Sequence, residues 1–297
     1  MGIRVPVSRK DRSEPASGRD PRRTTAPAGV DKTLTKGLML IETLCRSKQS
    51  RGVSDLASEL SLTKSNVHRL LQTLVASGFV SREAGSDRYV MTTKLWRLSR
   101  APRFHDALLA LVHPLLSELV AETGETATFV IVEGNTVVTL DQVETPQTIR
   151  VYYTVGDSQP LDQVLRGGRG ISGIQQVAFA FQPDVDVRGA LDRIRQELGR
   201  PPTYVDEQIA RVEAVRRDGY ALVKGEWMEG VNAIAAPVKG DAGDLVGIVI
   251  SFGPAHRLTG AALDRIRKST CQMAIRFTDK LVRDLPDRQT HASRPKS

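Results

Sequence analysis

The 297-residue chain holds two cysteines, Cys45 and Cys271, too few for a disulfide framework or a cysteine-rich structural zinc site. It lacks any run of the roughly 18 to 20 apolar residues that a membrane span needs, which excludes a transmembrane helix. The N-terminus carries Arg, Pro and Ser with no apolar segment behind them, so no secretory signal peptide is expected. The five histidines, His68, His105, His113, His256 and His291, form no His-x-His or His-Glu-x-x-His pattern, and no metal site is expected. Neither a nucleophile with a base nor a pair of acids shows as a motif, so no catalytic residue and no cofactor is expected. Gly167-Gly168-Arg169-Gly170 lacks the Lys-Ser/Thr ending of a phosphate-binding loop and reads as a flexible turn or helix start. These absences leave a soluble protein of a reducing compartment, the cytoplasm.

What is present is unevenly spread charge. Residues 1–32 carry 8 Lys/Arg against 4 Asp/Glu, residues 33–100 carry 11 against 5, and residues 101–297 carry 23 against 25. The whole excess of +8 therefore lies in the first third. A small basic unit joined to a larger near-neutral one points to a polyanion partner for the first, with a merely solvated basic face as the alternative.

Residues 1–30 have few large apolar side chains to offset ordering entropy and read as a disordered basic tail. A helix follows, with Leu34, Leu38, Ile41 and Leu44 on one face. The segment 54–60 is a short helix with Ser54 as its N-cap. After the tight Ser61-Leu62 connection, a third helix opens at Thr63 and stops near Gly78. Two β-prone runs, 79–83 and 88–92, flank a turn. A long helix over about 106–123 contains Pro114, which either kinks it or starts a second helix. Strands are expected near 126–133, 136–142, 148–153, 220–224, 231–238 and 245–252. Helices are expected near 163–180, 186–198, 206–217 and 260–284. With turns at Gly134-Asn135 and Gly240-Asp241, this is an α+β protein with an antiparallel-rich sheet. The expected domains are a tail at 1–30, a winged helix-turn-helix at 31–98, a linker at 99–112, an effector-binding domain at 113–286 and a flexible tail at 287–297.

The third helix has the chemistry of a reading head. Val67, Leu70, Leu71 and Leu74 share one face, while Ser65, Arg69 and Gln72 lie opposite, flanked by His68 and Thr73, with Lys64 in the first turn. Arginine can pair bidentately with guanine, glutamine with adenine, and serine with several bases. The helix N-terminus offers free amides to phosphate. The alternative is an ordinary amphipathic surface helix. The order helix, tight connection, helix, hairpin is that of a winged helix-turn-helix, with Arg88 beside the hairpin tip suited to touch the DNA backbone.

The stretches LTKSNVHRLLQTL (62–74), GFVSR (78–82) and RYVMTTKLWRL (88–98) resemble the N-terminal domain of IclR-type transcriptional regulators. The resemblance continues through HPLLSELVAETGETATFVIVEG (113–134), DQVETPQTIRVYYTVGDSQPL (141–161), NAIAAPV (232–238) and DLVGIVISFGP (244–254). It implies a winged helix-turn-helix domain, a linker helix and a GAF-like domain that binds a small organic acid or aromatic compound. Homodimers or homotetramers on palindromic double-stranded DNA are implied as well. In the family's pattern, Lys64, Ser65, His68, Arg69 and Gln72 face DNA. Leu165, Arg166, Gly167, Val223, Trp227, Ala233, Ile250 and Phe252 fall about the effector pocket. Asp162 to Arg169 stand where the family has His-Ala-Thr-Ala-x-Gly-Lys-Ala, and only Gly167 fits. Val223-Lys224 replace paired acids, Ile250 and Phe252 replace serines, and Ala233 a frequent cysteine. These departures favour an apolar or aromatic effector, with Arg166 or Arg169 available for one carboxylate.

Three further features have two readings each. Trp227 either caps a ligand or packs on its own core. Cys45, beside Arg46, is either a thiol of lowered pKa or a small buried or half-buried helix residue, the favoured reading, and Cys271 reads as core. The stripe Leu263, Ile266, Thr270, Met273, Phe277 and Leu281 packs on its own sheet in preference to a second subunit, whose contact falls to the first helix and the linker helix. The leading function is a ligand-responsive DNA-binding regulator, and the alternative is a small-molecule-binding metabolic enzyme with a basic interaction module.

Overall fold

The computed structural model describes residues 2–4, 31–47, 49–83, 85–99, 104–164, 168–182 and 185–284, with backbone alone for 2–4, 99 and 104–106. They fall into two compact units that part between Arg103 and Phe104. The chain opens with strand β1 (Gly2–Arg4), which pairs in parallel with a strand of the C-terminal unit. Within the expected tail, these three residues are therefore ordered by a neighbouring strand edge, a long-range pairing that composition does not disclose.

The N-terminal unit runs α1 (Lys32–Arg46), β2 (Arg51–Gly52), α2 (Val53–Leu60), α3 (Lys64–Ala76), β3 (Val80–Arg82), β4 (Arg88–Met91) and α4 (Lys94–Ser99). Asp31 caps α1, its carboxylate accepting from the Thr33 and Leu34 amides at 2.7 and 3.0 Å. Thr63 caps α3 as expected, accepting from the Asn66 amide. Helix α2 starts one residue before Ser54: Gly52 is its N-cap, and Asp55 accepts the Gly52 amide at 3.4 Å. Ser61, at φ 55°, makes the tight α2–α3 connection. Gly78, at φ 73°, ends α3, with the Phe79 amide returning to the Leu74 carbonyl. The wing is a three-stranded sheet in the order β2-β4-β3. Strand β2 was not foreseen, because two residues carry no alternation to read.

The helices close over Leu40, Leu44, Leu56, Val67, Leu70 and Leu71. The core face of α1 is therefore not the expected one. Leu40 and Leu44 are buried and Gly37 approaches Leu70, while Leu34 and Leu38 are 63% and 51% exposed.

The C-terminal unit runs α5 (Phe104–Thr123), β5 (Thr126–Glu133), β6 (Thr136–Val143), β7 (Arg150–Tyr152), β8 (Ser158–Pro160), α6 (Gly173–Phe181), α7 (Val187–Glu197), α8 (Thr203–Asp218), β9 (Ala221–Lys224), β10 (Val231–Lys239), β11 (Leu245–Pro254) and α9 (Gly260–Asp284). Helix α5 continues through Pro114 without a second start. Its Leu108 and Val112 are buried in the C-terminal core, so part of the expected linker is structural. The six-stranded sheet is antiparallel, in the order β8-β6-β5-β11-β10-β9.

Both faces of that sheet are covered, which is why β5, β10 and β11 read as nearly continuous apolar runs. On one face, Leu115, Leu116, Leu119, Met273 and Phe277 of α5 and α9 pack against Ala127, Phe129 and Val249. The stripe on α9 is thus buried in its own unit, including Leu263, Ile266, Thr270 and Leu281. On the other face, α6 packs against Val223, Ala233, Ala235, Ile248 and Ile250, and α8 and α7 stack behind it in the same core. Helix α6 begins at Ser172 instead of near 163. Its cap is reciprocal, with Ser172 accepting the Gln175 amide and Gln175 accepting the Ser172 amide.

Candidate nucleic-acid interface and effector site

In the N-terminal unit, burial of Val67, Leu70 and Leu71 fixes the rotation of α3. Lys64, Ser65, His68, Arg69 and Gln72 are all exposed as a consequence. Arg69 and Lys64 make no ion pair among the described residues. Lys64, Ser65 and His68 line a groove of about 750 Å³ with Arg82 and Arg88 of the wing and Ser54 and Asp55 of α2.

The two wing arginines differ from the cations of α3, Lys64 and Arg69. Arg88 opens β4 and donates to the Ser50 carbonyl at 2.6 and 3.1 Å, with Asp55 3.7 Å away. Arg82 pairs with Asp87 and donates to the Ser86 carbonyl. Their guanidiniums tie the wing to the body and to its own tip. Glu83 bonds to Ser86 and Ser50, and those hydroxyls, Ser86 first, hold its carboxyl below the usual range.

In the C-terminal unit, sheet register brings the expected effector residues together. Val223 faces Ala233 across β9–β10, and Ala233 faces Phe252 across β10–β11. Ile250 lies two residues from Phe252, on the same face. Leu165, Arg166 and Gly167 lie outside the described residues. Trp227, on the loop after β9, is buried against the same cluster at 2% exposure. It therefore packs on its own core, stacked on Tyr153 at 6.0 Å, while Tyr153 meets Phe252 edge-on at 5.3 Å. Burial drives the Tyr153 phenol far above its ordinary pKa, and it stays neutral at any physiological pH. The Trp227 Nε1–H is buried and makes no hydrogen bond among the described residues.

Tyr153 and Gly173 belong to this site and were missed. Gly173 lets α6 touch the sheet, since a Cβ there would stand 3.1 Å from the Ala235 Cβ. The Ser-x-x-Gln box at 172–175 is the signal that marks that helix start. Beside the site runs the pair of buried Glu125 and half-buried Arg257, at 2.6 and 2.7 Å, with Arg257 also donating to the Ile149 carbonyl. The Glu125 carboxylate, bonded to both guanidinium nitrogens, raises the Arg257 pKa further.

Other candidates resolve simply. Cys45 is exposed, neither buried nor half-buried, and desolvation raises its thiol pKa despite Arg46. Cys271 packs at the edge of the core. No group of three metal-ligating side chains occurs among the described residues. No described helix is long and apolar enough to cross a membrane.

A winged helix-turn-helix with an exposed polar helix face, carried in one chain with a sheet-and-helix unit that has an inner aromatic cluster, defines a two-domain transcriptional regulator. Residues 33–84 match the IclR helix-turn-helix domain, and residues 105–276 match the bacterial transcriptional regulator IclR C-terminal domain. The chain belongs to the IclR family. The HTH-type transcriptional regulator BhcR of Paracoccus denitrificans is 27% identical over 249 residues, covering 83% of this chain and 86% of that protein. An IclR-type regulator from a Silicibacter species superposes with a TM-score of 0.68 at 21% identity, covering 84% of this chain and 96% of that one. An IclR homologue from Microbacterium hydrocarbonoxydans, complexed with 4-hydroxybenzoate, superposes with a TM-score of 0.64 at 15% identity, covering 83% and 99%. The chain is thus a regulator with a helix-turn-helix domain and an effector domain, and not the metabolic enzyme of the alternative reading.

Proposed function

We propose that this regulator reads a palindromic operator as a homodimer or homotetramer in the cytoplasm, and that a small organic acid bound in its C-terminal unit shifts that binding. The observation that carries the DNA reading is the face of α3. Five polar side chains stand exposed in a row, while the apolar side of the same helix is locked in the core. Arg69 and Gln72 read base edges, and Ser65 and His68 add contacts in the same groove. Lys64 and the α3 N-terminus hold phosphate. Arg88 acts as the tether that sets the wing, since its guanidinium is engaged by Ser50.

The row Val223, Ala233 and Phe252, with Ile250 and Trp227, supports an apolar or aromatic effector body. The Microbacterium homologue's 4-hydroxybenzoate, an aromatic acid, agrees with that chemistry. Leu165, Arg166 and Gly167 are assigned to the same site from the family pattern alone. Leu34 and Leu38, exposed on α1, support a subunit contact that couples two reading heads.

The test is selection of sheared genomic fragments on the purified protein at physiological salt, followed by sequencing. Enriched fragments that share a palindrome are expected. Enrichment no better than for scrambled DNA, with and without pooled aromatic acids and small carboxylates, defeats the reading.

A further inference from the structure

No side chain from Lys94 to Leu98 in α4 is buried: Lys94 is half-buried, and the four that follow are exposed. A helix without a core residue must be held on its unit by other means. Its first residue supplies one. Lys94 Nζ donates to the Ser77 carbonyl at 2.6 Å, across 17 residues of sequence. Ser77 is the C-cap of α3, so that carbonyl is one of the acceptors a helix leaves open at its end. The ammonium stands where the dipole of α3 is negative. It also lies over the Phe79 ring, 4.7 Å from its centre.

Thr92 adds to the same hold. Its Oγ1 donates to the Gly78 carbonyl at 2.6 Å and accepts the Lys94 amide at 3.1 Å. The Thr92 amide donates to the Phe79 carbonyl at 2.9 Å. The three residues that close α3 therefore meet the residues that open α4. The other end of α3, at Lys64, is about 20 Å away at 1.5 Å per residue. Two roles suit a half-exposed cation in this unit, a phosphate contact and a structural clamp on the reading helix. The ammonium is already engaged by a carbonyl, at the far end of α3 from the groove of Lys64, Ser65 and His68. That geometry favours the clamp.

We infer that Lys94 is a positioning residue for DNA reading, which fixes α4 on the C-terminus of α3 and so sets the angle at which Arg69 and Gln72 meet base edges. The inference rests on reading α3 as the helix that enters the groove. Base contacts demand close geometry, whereas phosphate contacts carry no sequence information and tolerate a tilt. Loss of the Lys94 bond therefore costs discrimination and leaves non-specific attraction intact. The same bond makes Lys94 the point at which a movement of α4 reaches α3.

Lys94→Met keeps the stem and removes the charge and the donors, and Lys94→Arg restores both. Full-length wild type and the two variants are titrated with a palindromic duplex from the fragment selection and with a scrambled duplex. The titrations run across a salt series, well below the melting temperature. Lys94→Met should bind the palindrome several-fold more weakly, bind the scrambled duplex like wild type and keep the wild-type salt slope. Lys94→Arg should recover most of the loss. Without DNA, amide exchange of Lys94→Met should quicken at the end of α3 and in α4 and stay unchanged in the C-terminal unit. Wild-type affinity of Lys94→Met for the palindrome, an equal loss on both duplexes, unchanged amide exchange or no recovery by Lys94→Arg each overturns the inference. A slope lowered by about one per protomer overturns it too, because Lys94 is then a phosphate contact. If wild type itself prefers neither duplex, the reading of α3 fails and takes the inference with it. If wild type and Lys94→Met discriminate alike, the inference alone fails.

Discussion

Arg69 and Arg88 stand in one small unit and illustrate two uses of the same side chain. Arg69 is exposed on α3 and has no ion-pair partner among the described residues. Arg69→Ala is expected to cost about 1–3 kcal/mol of specific operator binding while leaving the melting temperature unchanged. Arg88 donates twice to the Ser50 carbonyl and once to its hydroxyl. Arg88→Ala should cost about 0.5–1.5 kcal/mol of stability in the N-terminal unit and weaken binding to all sequences alike. Paired melts and binding titrations check both. Wild-type operator binding by Arg69→Ala would mean that the register of α3 on DNA is misassigned. Gly247 tests packing alone. A Cβ at that position collides with the Phe129 ring, itself stacked on Phe277 at 5.4 Å. Gly247→Ala should therefore lose about 1–3 kcal/mol in urea unfolding, because a filled core cannot take another methyl group.

At the scale of elements, long periodic segments were legible and short or irregular ones were not. Helix α3, its Thr63 cap and its Gly78 stop follow from spacing and caps, and β5, β10, β11 and α9 fall close to their expected ends. Helix α1 failed in rotation because two apolar rows share it. Leu34 and Leu38 continue to Ile41 as convincingly as Gly37 and Leu40 lead to Leu44, and only the contact with Leu70 decides. Helix α6 failed in length for a similar reason. Leu161 and Val164 are buried at helical spacing from a segment that is not helical. The row Val223, Ala233 and Phe252 was legible through the family pattern, whereas Tyr153 carries no period and was not. The exposed row on α1 makes a prediction. Leu38→Lys should change the stability of the dilute protein by less than about 0.5 kcal/mol, since it is a surface change. It should also weaken self-association in sedimentation. Asp31 makes another. The Leu34 amide, then that of Thr33, holds its carboxyl below the usual carboxylate range. A depressed folded pKa means that its capping contribution is present above the unfolded pKa and is lost as pH falls through the folded one. Asp31→Asn should remove that acid-side step in the amide protection of Thr33 and Leu34, because the amide side chain caps without titrating.

Across the whole molecule, the charge is divided by task. Residues 1–100 carry a net +10, while residues 101–297 carry −2. A regulator built this way binds DNA through the first unit and keeps the second free of long-range attraction to phosphate. Its affinity should fall linearly in log-log form with salt, by about 0.9 for each phosphate neutralised. Lys64 sits at the α3 N-terminus, where its charge and the free amides would both serve one phosphate. Lys64→Ala should therefore reduce the slope by about one for each protomer bound while preserving the ranking of operator variants. Arg69→Ala should reorder that ranking as well, since a base contact distinguishes sequences and a phosphate contact does not. Binding of an operator and a scrambled duplex across a salt series separates the two effects. If Lys64→Ala changed the ranking and left the slope intact, Lys64 would be a base reader and the docking of α3 would have to turn toward its first turn.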